Sequence, residues 1–474
     1  TVLRVTNVLY GAEASSPDWT KRTAGAMMAL DDHELEHEIH DKEQRLFKTG
    51  LCTALGYVKD GGFRKAKTLP PHFAPVRRAG PEDYEFLRQF MGDIEVGYLR
   101  SGEEVVPFPV GIDGTKSFPY HVGIFATTGM GKSNLMKTLA GSCLATGRYG
   151  LLLIDPHDEY YTGGSGKKGL MHHPLATRNL VVYSHRKLNA GLYHKLTLSA
   201  HEVDTADLKQ LYEFTGAQAE FLDAARRRYD KAWLAEVNDK EVGQILSEVH
   251  GFQEGTVGVV KRRITRLFHT GLLHRDPKVS ASTSIIDALR QGKVVLISTG
   301  GLEDREELLV STVLARAVLE ANKAAFGEEG FDRLPPILIV QEEAQRVLGK
   351  GGGKANIFAQ IAREGRKFKT GLCAITQQPK LLDTEVISQF NTLFILGLAD
   401  KRDRDILQDS AKQDVSQLEN EIQMLMPGEA LITSPYAPFA IPAAIHLYEE
   451  YIERVSRTVA VKASSRVVVK DDFY

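Results

Sequence analysis

The nine residues Ala126-Thr127-Thr128-Gly129-Met130-Gly131-Lys132-Ser133-Asn134 decide the fold. They follow a short apolar run, Val-Gly-Ile-Phe at 122–125, and lead into a segment of helical character at 134–145. Strand, glycine loop and helix, in that order, are the setting in which a Gly-Lys-Ser triplet binds phosphate. Phosphate oxygens need many N–H donors at close range. Gly129 and Gly131 let the backbone curl so that amides converge, and the first turn of the helix adds its dipole. Lys132 is placed to reach the β- and γ-phosphates of ATP and Ser133 to ligate Mg²⁺, with Thr128, Met130 and Asn134 completing the nucleotide-binding loop. Ala126 stands where the general pattern has its first glycine. The alternative, a chance glycine-rich turn between strand and helix, is weakened by the intact Gly-Lys-Ser and the correct flanks.

Outward from the loop, continuous apolar runs recur at 150–154, 180–183, 294–297, 337–340, 372–375 and 393–396. Runs without polar alternation imply burial on both faces. Their alternation with helical stretches implies an α/β fold with a mostly parallel, doubly wound sheet. Val310, Val313, Leu314, Ala317, Val318 and Ala321 share one face of a helix and read as core. Residues 197–280 carry helical periodicity and many charges with no strand-like run, which predicts a helical insertion in a core spanning 119–446. Residues 429–446 read as closing strands and 447–474 as a helix and polar tail. Upstream, 1–75 mixes β-like runs at 2–9 and 51–58 with a charged helical stretch at 33–47 and reads as a small β-rich domain. Thr1 enters a strand-like run directly, so further residues before it are expected. A proline-rich passage at 69–76 marks a boundary. Residues 76–118 form a linker with one helix and small strands at 94–99 and 103–109.

The 474 residues are 43% hydrophobic and 25% charged, with a net charge of −2. That near-neutral balance excludes a uniformly basic nucleic-acid binder, so any DNA contact comes from a local basic surface. Cys52, Cys143 and Cys373 are far apart and odd in number. They offer neither zinc spacing nor a disulfide framework, and a cytoplasmic setting fits best. No apolar run reaches the roughly 18 to 20 residues that span a bilayer, so no membrane partner is expected.

Hydrolysis needs one carboxylate near Mg²⁺ and another to polarise the attacking water. The run at 337–340 ends in Gln341-Glu342-Glu343-Ala344, which assigns Glu342 to the Mg²⁺ shell and Glu343 as general base. The alternative is an acidic pair at a helix start, favoured by the dipole. A second acidic strand end, Asp155-Pro156-His157-Asp158-Glu159-Tyr160, competes for the same role; otherwise Asp155 and Glu159 line the site. Arg363 and Arg366, in Ala362-Arg363-Glu364-Gly365-Arg366-Lys367-Phe368, suit γ-phosphate stabilisation in cis or from a neighbouring subunit, or else a solvated helix end. The strand at 371–375 runs into Thr376-Gln377-Gln378-Pro379, which makes Gln377 a candidate γ-phosphate sensor.

Taken together, the phosphate loop, Asp155 to Tyr160, Gln341 to Ala344, Ala362 to Phe368 and Thr376 to Pro379 resemble the HerA ATPases of the HerA–FtsK group of P-loop motors. Gln389-Phe390-Asn391 and Gly428-Glu429-Ala430 also match, and the resemblance covers roughly residues 90–446. It implies a RecA-like core, a hexameric ring with ATP between subunits, and double-stranded DNA pumped through the pore. It further implies that Lys132 and Ser133 bind nucleotide, that Glu343 is catalytic, and that Arg366 is an arginine finger acting in trans. The N-terminal β-rich region would correspond to the family's barrel, with first strands missing. Family members act with a separate nuclease such as NurA in DNA end processing, or with other effectors in antiviral defence. This chain departs from the pattern at Asp158, where Gly is usual, at Gln345, where His is usual, at Gln378, where Arg is common, and at Tyr120, where some members carry Arg.

A translocating ring needs mobile cationic loops facing its hole. Lys350 and Lys354 flank three glycines just after the acidic strand end and are the candidate DNA contacts; the alternative is a solvated surface loop. Arg226-Arg227-Arg228 and Lys261-Arg262-Arg263 lie in the insertion and read as a solvated or ion-paired face. The expected function is an ATP-hydrolysing hexameric DNA translocase. An ATP-gated ring scaffold that regulates an effector enzyme is the alternative.

Overall fold

The computed structural model describes residues 1–12, 46–164, 166–349, 356–413, 415 and 418–467. It forms two compact units, 1–89 and 90–474. In the first, β1 (Val2–Ala12), β2 (Leu46–Lys59) and β3 (Gly62–Lys65) make a three-stranded antiparallel sheet. Asp60 and Gly61 both take positive φ between β2 and β3, as a tight hairpin turn requires. Phe63 stacks on Phe86 at 5.1 Å. The helical stretch expected at 33–47 lies outside the described residues except for Leu46 and Phe47, which open β2.

The second unit is built on one sheet with twelve strands among the described residues. Its strands are β4 (Ile94–Ser101), β5 (Glu104–Ile112), β6 (Val122–Phe125), β7 (Gly150–Asp155), β8 (Leu180–Ser184) and β9 (His194–Lys195), then β12 (Val294–Ser298), β13 (Ile337–Gln341), β14 (Thr370–Thr376), β15 (Thr392–Ile395), β16 (Glu429–Thr433) and β17 (Ile441–Ile445). The spatial order is β5-β4-β17-β16-β15-β6-β14-β13-β7-β12-β8-β9. From β15 to β9 every pairing is parallel, and from β15 to β5 every pairing is antiparallel. Most of the runs read as doubly buried are so: β6, β7, β12, β13, β14 and β15 are buried throughout, whereas Leu180 and Val181 of β8 are half-buried. The helices Lys132–Thr146 and Asp304–Ala325 pack on the sheet, and the apolar stripe through Val310, Val313, Leu314 and Val318 is fully buried.

Between residues 199 and 273 the chain leaves the sheet for five helices of seven to fifteen residues, Thr205–Leu211, Gly216–Tyr229, Trp233–Asp239, Val242–Glu248 and Glu254–Phe268. Phe221, Trp233, Val257 and Ile264 fill their core. Arg316 on the long helix grips Asp207 at 2.6 Å and ties the insertion to the sheet. One feature differs from the sequence reading. Two short strands, β10 (Leu198–Ser199) and β11 (Leu273–His274), pair in parallel where the insertion leaves and rejoins the core. Two residues are too short a run to register as a strand pattern. The basic runs of the insertion are largely engaged. Arg226 pairs with Asp230, Lys261 Nζ donates to the carbonyls of Asn238 and Lys240, and Arg263 donates to that of Glu213.

Gly371 shows how closely the centre is packed. A Cβ there would stand 1.6 Å from the carbonyl oxygen of Phe118, in the segment that feeds β6. Backbone cannot retreat as a side chain can, so Gly371→Ala will lower stability by about 3 kcal/mol, near the upper end for overpacking. Thermal unfolding beside the parent chain checks this; an unchanged midpoint refutes it.

Candidate active site

The phosphate loop leaves the carboxyl end of β6 and is braced from both sides. Thr127 donates its N–H and its hydroxyl to the carbonyl of Gly397, at 3.0 and 2.9 Å. Gly428 N–H donates to the carbonyl of Met130 at 3.3 Å. Gly129 and Gly131 have φ of 84° and 99°, a conformation that other residues adopt at a cost. Among the described residues, the N–H groups of Gly129, Gly131, Lys132 and Ser133 donate to no protein acceptor. They surround the start of a fifteen-residue helix, and such an unfilled set of donors is an anion site. Lys132 Nζ lies 3.4 Å from the carbonyl of Ala126. Burial lowers its pKa, opposed by the carboxylates of Glu343, Glu342 and Glu159. Asn134 is used differently from its neighbours. Its amide donates to the carbonyl of His446 at 2.8 Å and accepts from Tyr448 N–H at 3.0 Å, which fastens the loop's helix to the C-terminal helix Tyr448–Val467.

The strand order brings the acidic residues to this loop. β14 lies between β6 and β13, so Gln377, just past the end of β14, stands between the loop and the acidic pair. Thr128 hydroxyl donates to Gln377 Oε1, and Gln377 Nε2 lies 3.5 Å from Glu343 Oε1. Glu343 has φ of 45°. For a residue with a Cβ this conformation costs on the order of 1–3 kcal/mol, and such strain gathers at functional sites. Glu342 is half-buried and accepts a hydrogen bond from the Tyr160 hydroxyl. Burial pushes its pKa up to about 7; the Tyr160 bond works against that and Asp155 adds to it.

Asp155 ends β7, on the far side of β13 from the loop. Its carboxylate accepts the N–H groups of Glu159 and Tyr160 at 3.0 and 2.9 Å, and so closes its own turn. Burial raises its pKa to about 6. Asp158 takes φ of 55°, a conformation that favours glycine, and it pairs with Arg186.

Arg366 is elsewhere. It is exposed, in the turn Gly365–Phe368 that precedes β14, with its guanidinium 4.8 Å from the ring centre of Tyr120. Tyr120 precedes β6, so both residues sit at the amino ends of strands whose carboxyl ends carry the loop and Gln377. The seven residues of β14 separate the two ends by roughly 20 Å, and Arg366 does not reach its own chain's loop. Lys350 and Lys354 lie outside the described residues.

Three contributors were given no role by the sequence. Tyr160 is one. His121, buried, accepts Leu372 N–H at 3.0 Å through Nδ1, its pKa lowered to about 4 by burial. Gln345 donates to Glu343 Oε2 and accepts from the Thr376 hydroxyl at 2.6 Å. Among the described residues no helix is long and apolar enough to cross a membrane.

The family model described as "Helicase HerA, central domain" matches residues 94–318. A probable helicase of Methanocaldococcus jannaschii is 25% identical over 86% of this chain and 79% of its own length. The DNA double-strand break repair helicase HerA of Saccharolobus solfataricus is 24% identical over 80% of this chain and 74% of its own length. Among solved structures, the bacterial conjugative coupling protein TrwB, lacking its first 70 residues, aligns with a TM-score of 0.50 at 12% identity. That alignment covers 79% of this chain and 96% of TrwB, and shows the same fold. The match at residues 94–318, relatives aligned over most of their length and the P-loop core support membership of the HerA helicase family of ATP-hydrolysing enzymes.

Proposed function

We propose that the chain is a DNA translocase driven by ATP hydrolysis between subunits of a homo-oligomeric, hexameric ring. One observation carries the reading: the nucleotide loop and the acidic pair share one end of the sheet while Arg366 is held at the other. A site that uses both therefore takes them from two copies. Heterologous contacts of this kind generate a ring when the rotation between copies closes. The names of the HerA relatives support DNA as the substrate. A separate nuclease, NurA-like, or a defence effector is the partner expected of such a ring, in DNA end processing or antiviral defence.

The free amides of the loop and Lys132 cradle the β- and γ-phosphates and balance the charge that grows on them as the terminal phosphoryl leaves. Glu343 accepts the proton of the attacking water, and Gln377 lies between that carboxylate and the loop, placed to orient the water against the γ-phosphate. The residues present fit Mg²⁺: Ser133 and Glu342 would hold it, and it would supply charge neutralisation on the phosphate oxygens. Arg366 of a neighbouring copy adds the remaining positive charge. Lys350 and Lys354, flanking their glycines, are proposed to follow the DNA backbone without reading sequence.

The test is DNA-stimulated ATPase together with displacement of a protein roadblock from duplex DNA. Stimulation with roadblock clearance supports the motor. Hydrolysis indifferent to DNA and a roadblock left in place overturn it. Tyr160 supplies a narrower check. Tyr160→Phe removes the bond that lowers the Glu342 pKa, so Glu342 holds its proton to higher pH. A hydrogen bond to a charged group contributes about 1.5 kcal/mol, so the acid limb of the ATPase profile, measured at fixed Mg²⁺, will move up by about one pH unit.

A further inference from the structure

Gln345 holds Glu343 in a chain of hydrogen bonds whose direction is fixed from its end. The backbone N–H of Gln378 can only donate, and it donates to Thr376 Oγ1 at 3.0 Å. The Thr376 hydroxyl therefore spends its proton on Gln345 Oε1, at 2.6 Å. With its carbonyl engaged, Gln345 presents its amide N–H₂ to Glu343 Oε2. The other Glu343 oxygen faces Gln377 Nε2 at 3.5 Å, and Gln377 Oε1 takes the proton of Thr128 in the phosphate loop. Every donor in the chain points toward Glu343, whose carboxylate can only accept. The two arms differ in kind. The Gln345 arm is short, starts from the backbone just past β14 and touches nothing in the loop. The Gln377 arm is long at Glu343 and begins on a loop residue that borders the free amides. Glu343 itself carries left-handed backbone that a glutamate does not adopt without support.

We propose that Gln345 is the positioning residue of the general base. It clamps one oxygen of Glu343 to β14, so that the carboxylate keeps its aim when nucleotide engages Thr128 and Gln377 and draws the second arm toward the γ-phosphate. The inference rests on Glu343 being the base. It assigns Gln345 no contact with nucleotide or water. A neutral imidazole likewise accepts on one nitrogen and donates on the other, so histidine can serve in the same place.

The experiment measures kcat, KM for ATP, nucleotide affinity and thermal midpoint for Gln345→Leu, Thr376→Val, the double variant and Gln345→His. Loss of the clamp lets the base drift, and a misplacement of about 1 Å costs up to about a hundredfold, so Gln345→Leu will lower kcat by about 10- to 100-fold. KM and affinity stay within about twofold, since the loop's donors are untouched. Thr376→Val will act in the same direction. The double variant will be no worse than Gln345→Leu, because both cut one chain. Gln345→His will recover kcat to within about threefold of the parent chain. The proposal is overturned if Gln345→Leu keeps kcat, if its loss appears equally in nucleotide affinity, or if histidine fails to rescue in a chain with the parent's thermal midpoint. Should Gln345→Leu fail to fold, Thr376→Val and Gln345→His decide the matter by the same criteria. Glu343→Gln separates the two levels. If that variant hydrolyses ATP at the parent rate, the assignment of the base falls; if it is inactive while Gln345→Leu is normal, only the clamp falls.

Discussion

Glu343→Gln will bind ATP with near-parent affinity and hydrolyse it about 10³- to 10⁴-fold more slowly, the upper range for removing a general base. The amide keeps the shape of the carboxylate and can still meet one neighbour, so the loop and β13 are undisturbed. What is lost is a group able to take a proton from water. Lys132→Ala will fail differently. The lysine is half-buried at the loop with three carboxylates acting on it, and without it those negative charges face the triphosphate unbalanced. Nucleotide affinity therefore falls along with turnover. Phosphate release and calorimetric ATP binding on the two variants make the comparison. A Glu343→Gln chain that turns over normally refutes the base, and a Lys132→Ala chain that binds ATP normally refutes the phosphate loop as the nucleotide site. Glu342→Gln belongs to a third class: its loss should appear chiefly in the Mg²⁺ dependence of the rate.

The different fates of the site residues show what a linear sequence can carry. The phosphate loop was legible because its elements are local: glycines where φ must be positive, a lysine and serine at the start of a helix, an apolar strand before them. The central strands were legible for a related reason, since burial on both faces leaves an uninterrupted apolar run. Strand order is not local. That β14 lies between β6 and β13, and so sets Gln377 between Thr128 and Glu343, depends on β14 pairing with β6, where Cys373 meets Val122 from far back in the chain, as well as with nearby β13. The strands at 94–112 read as a small leader to the core, yet they are hydrogen-bonded to its sheet through β17, near the far end of the chain. The same limit left two acidic strand ends as rivals. Asp155 and Glu342 look alike in sequence and differ in what surrounds them: the Asp155 carboxylate is taken up by two N–H groups of its own turn, and Glu342 is met by a tyrosine from another strand's end. Gln345 read as a departure from a pattern; only its two partners give it a task.

Arg366 supports the sharpest test of the ring. Arg366→Ala will leave ATP binding intact and reduce turnover by about 10³-fold, the lower value for an arginine finger. Its own loop, on the far side of the sheet, loses no contact. The guanidinium rests on Tyr120 at the exposed amino end of β14, and removing it opens no cavity, so the thermal midpoint will hold. The decisive step is to mix two inactive chains. Lys132→Ala keeps its arginine and lacks a working loop, and Arg366→Ala keeps its loop and lacks the arginine. If each site joins the loop of one copy to the arginine of the next, random assembly at equal amounts pairs an intact loop with an intact arginine at about a quarter of the heterologous interfaces, and about a quarter of the parent rate returns. If Arg366 served its own loop, no mixture would contain a complete site and activity would stay at the level of the two inactive chains. The stoichiometry can be pushed further, because excess Lys132→Ala chain saturates the arginine side. The rate per Arg366→Ala chain should then climb toward that of the parent. A mixture that stays inactive at every ratio, while mixed rings are recovered by mass, would exclude a shared site. A ring in which nucleotide and arginine come from different copies senses ATP only at its interfaces, which is the property a translocating ring requires if hydrolysis at one contact is to move one subunit against the next.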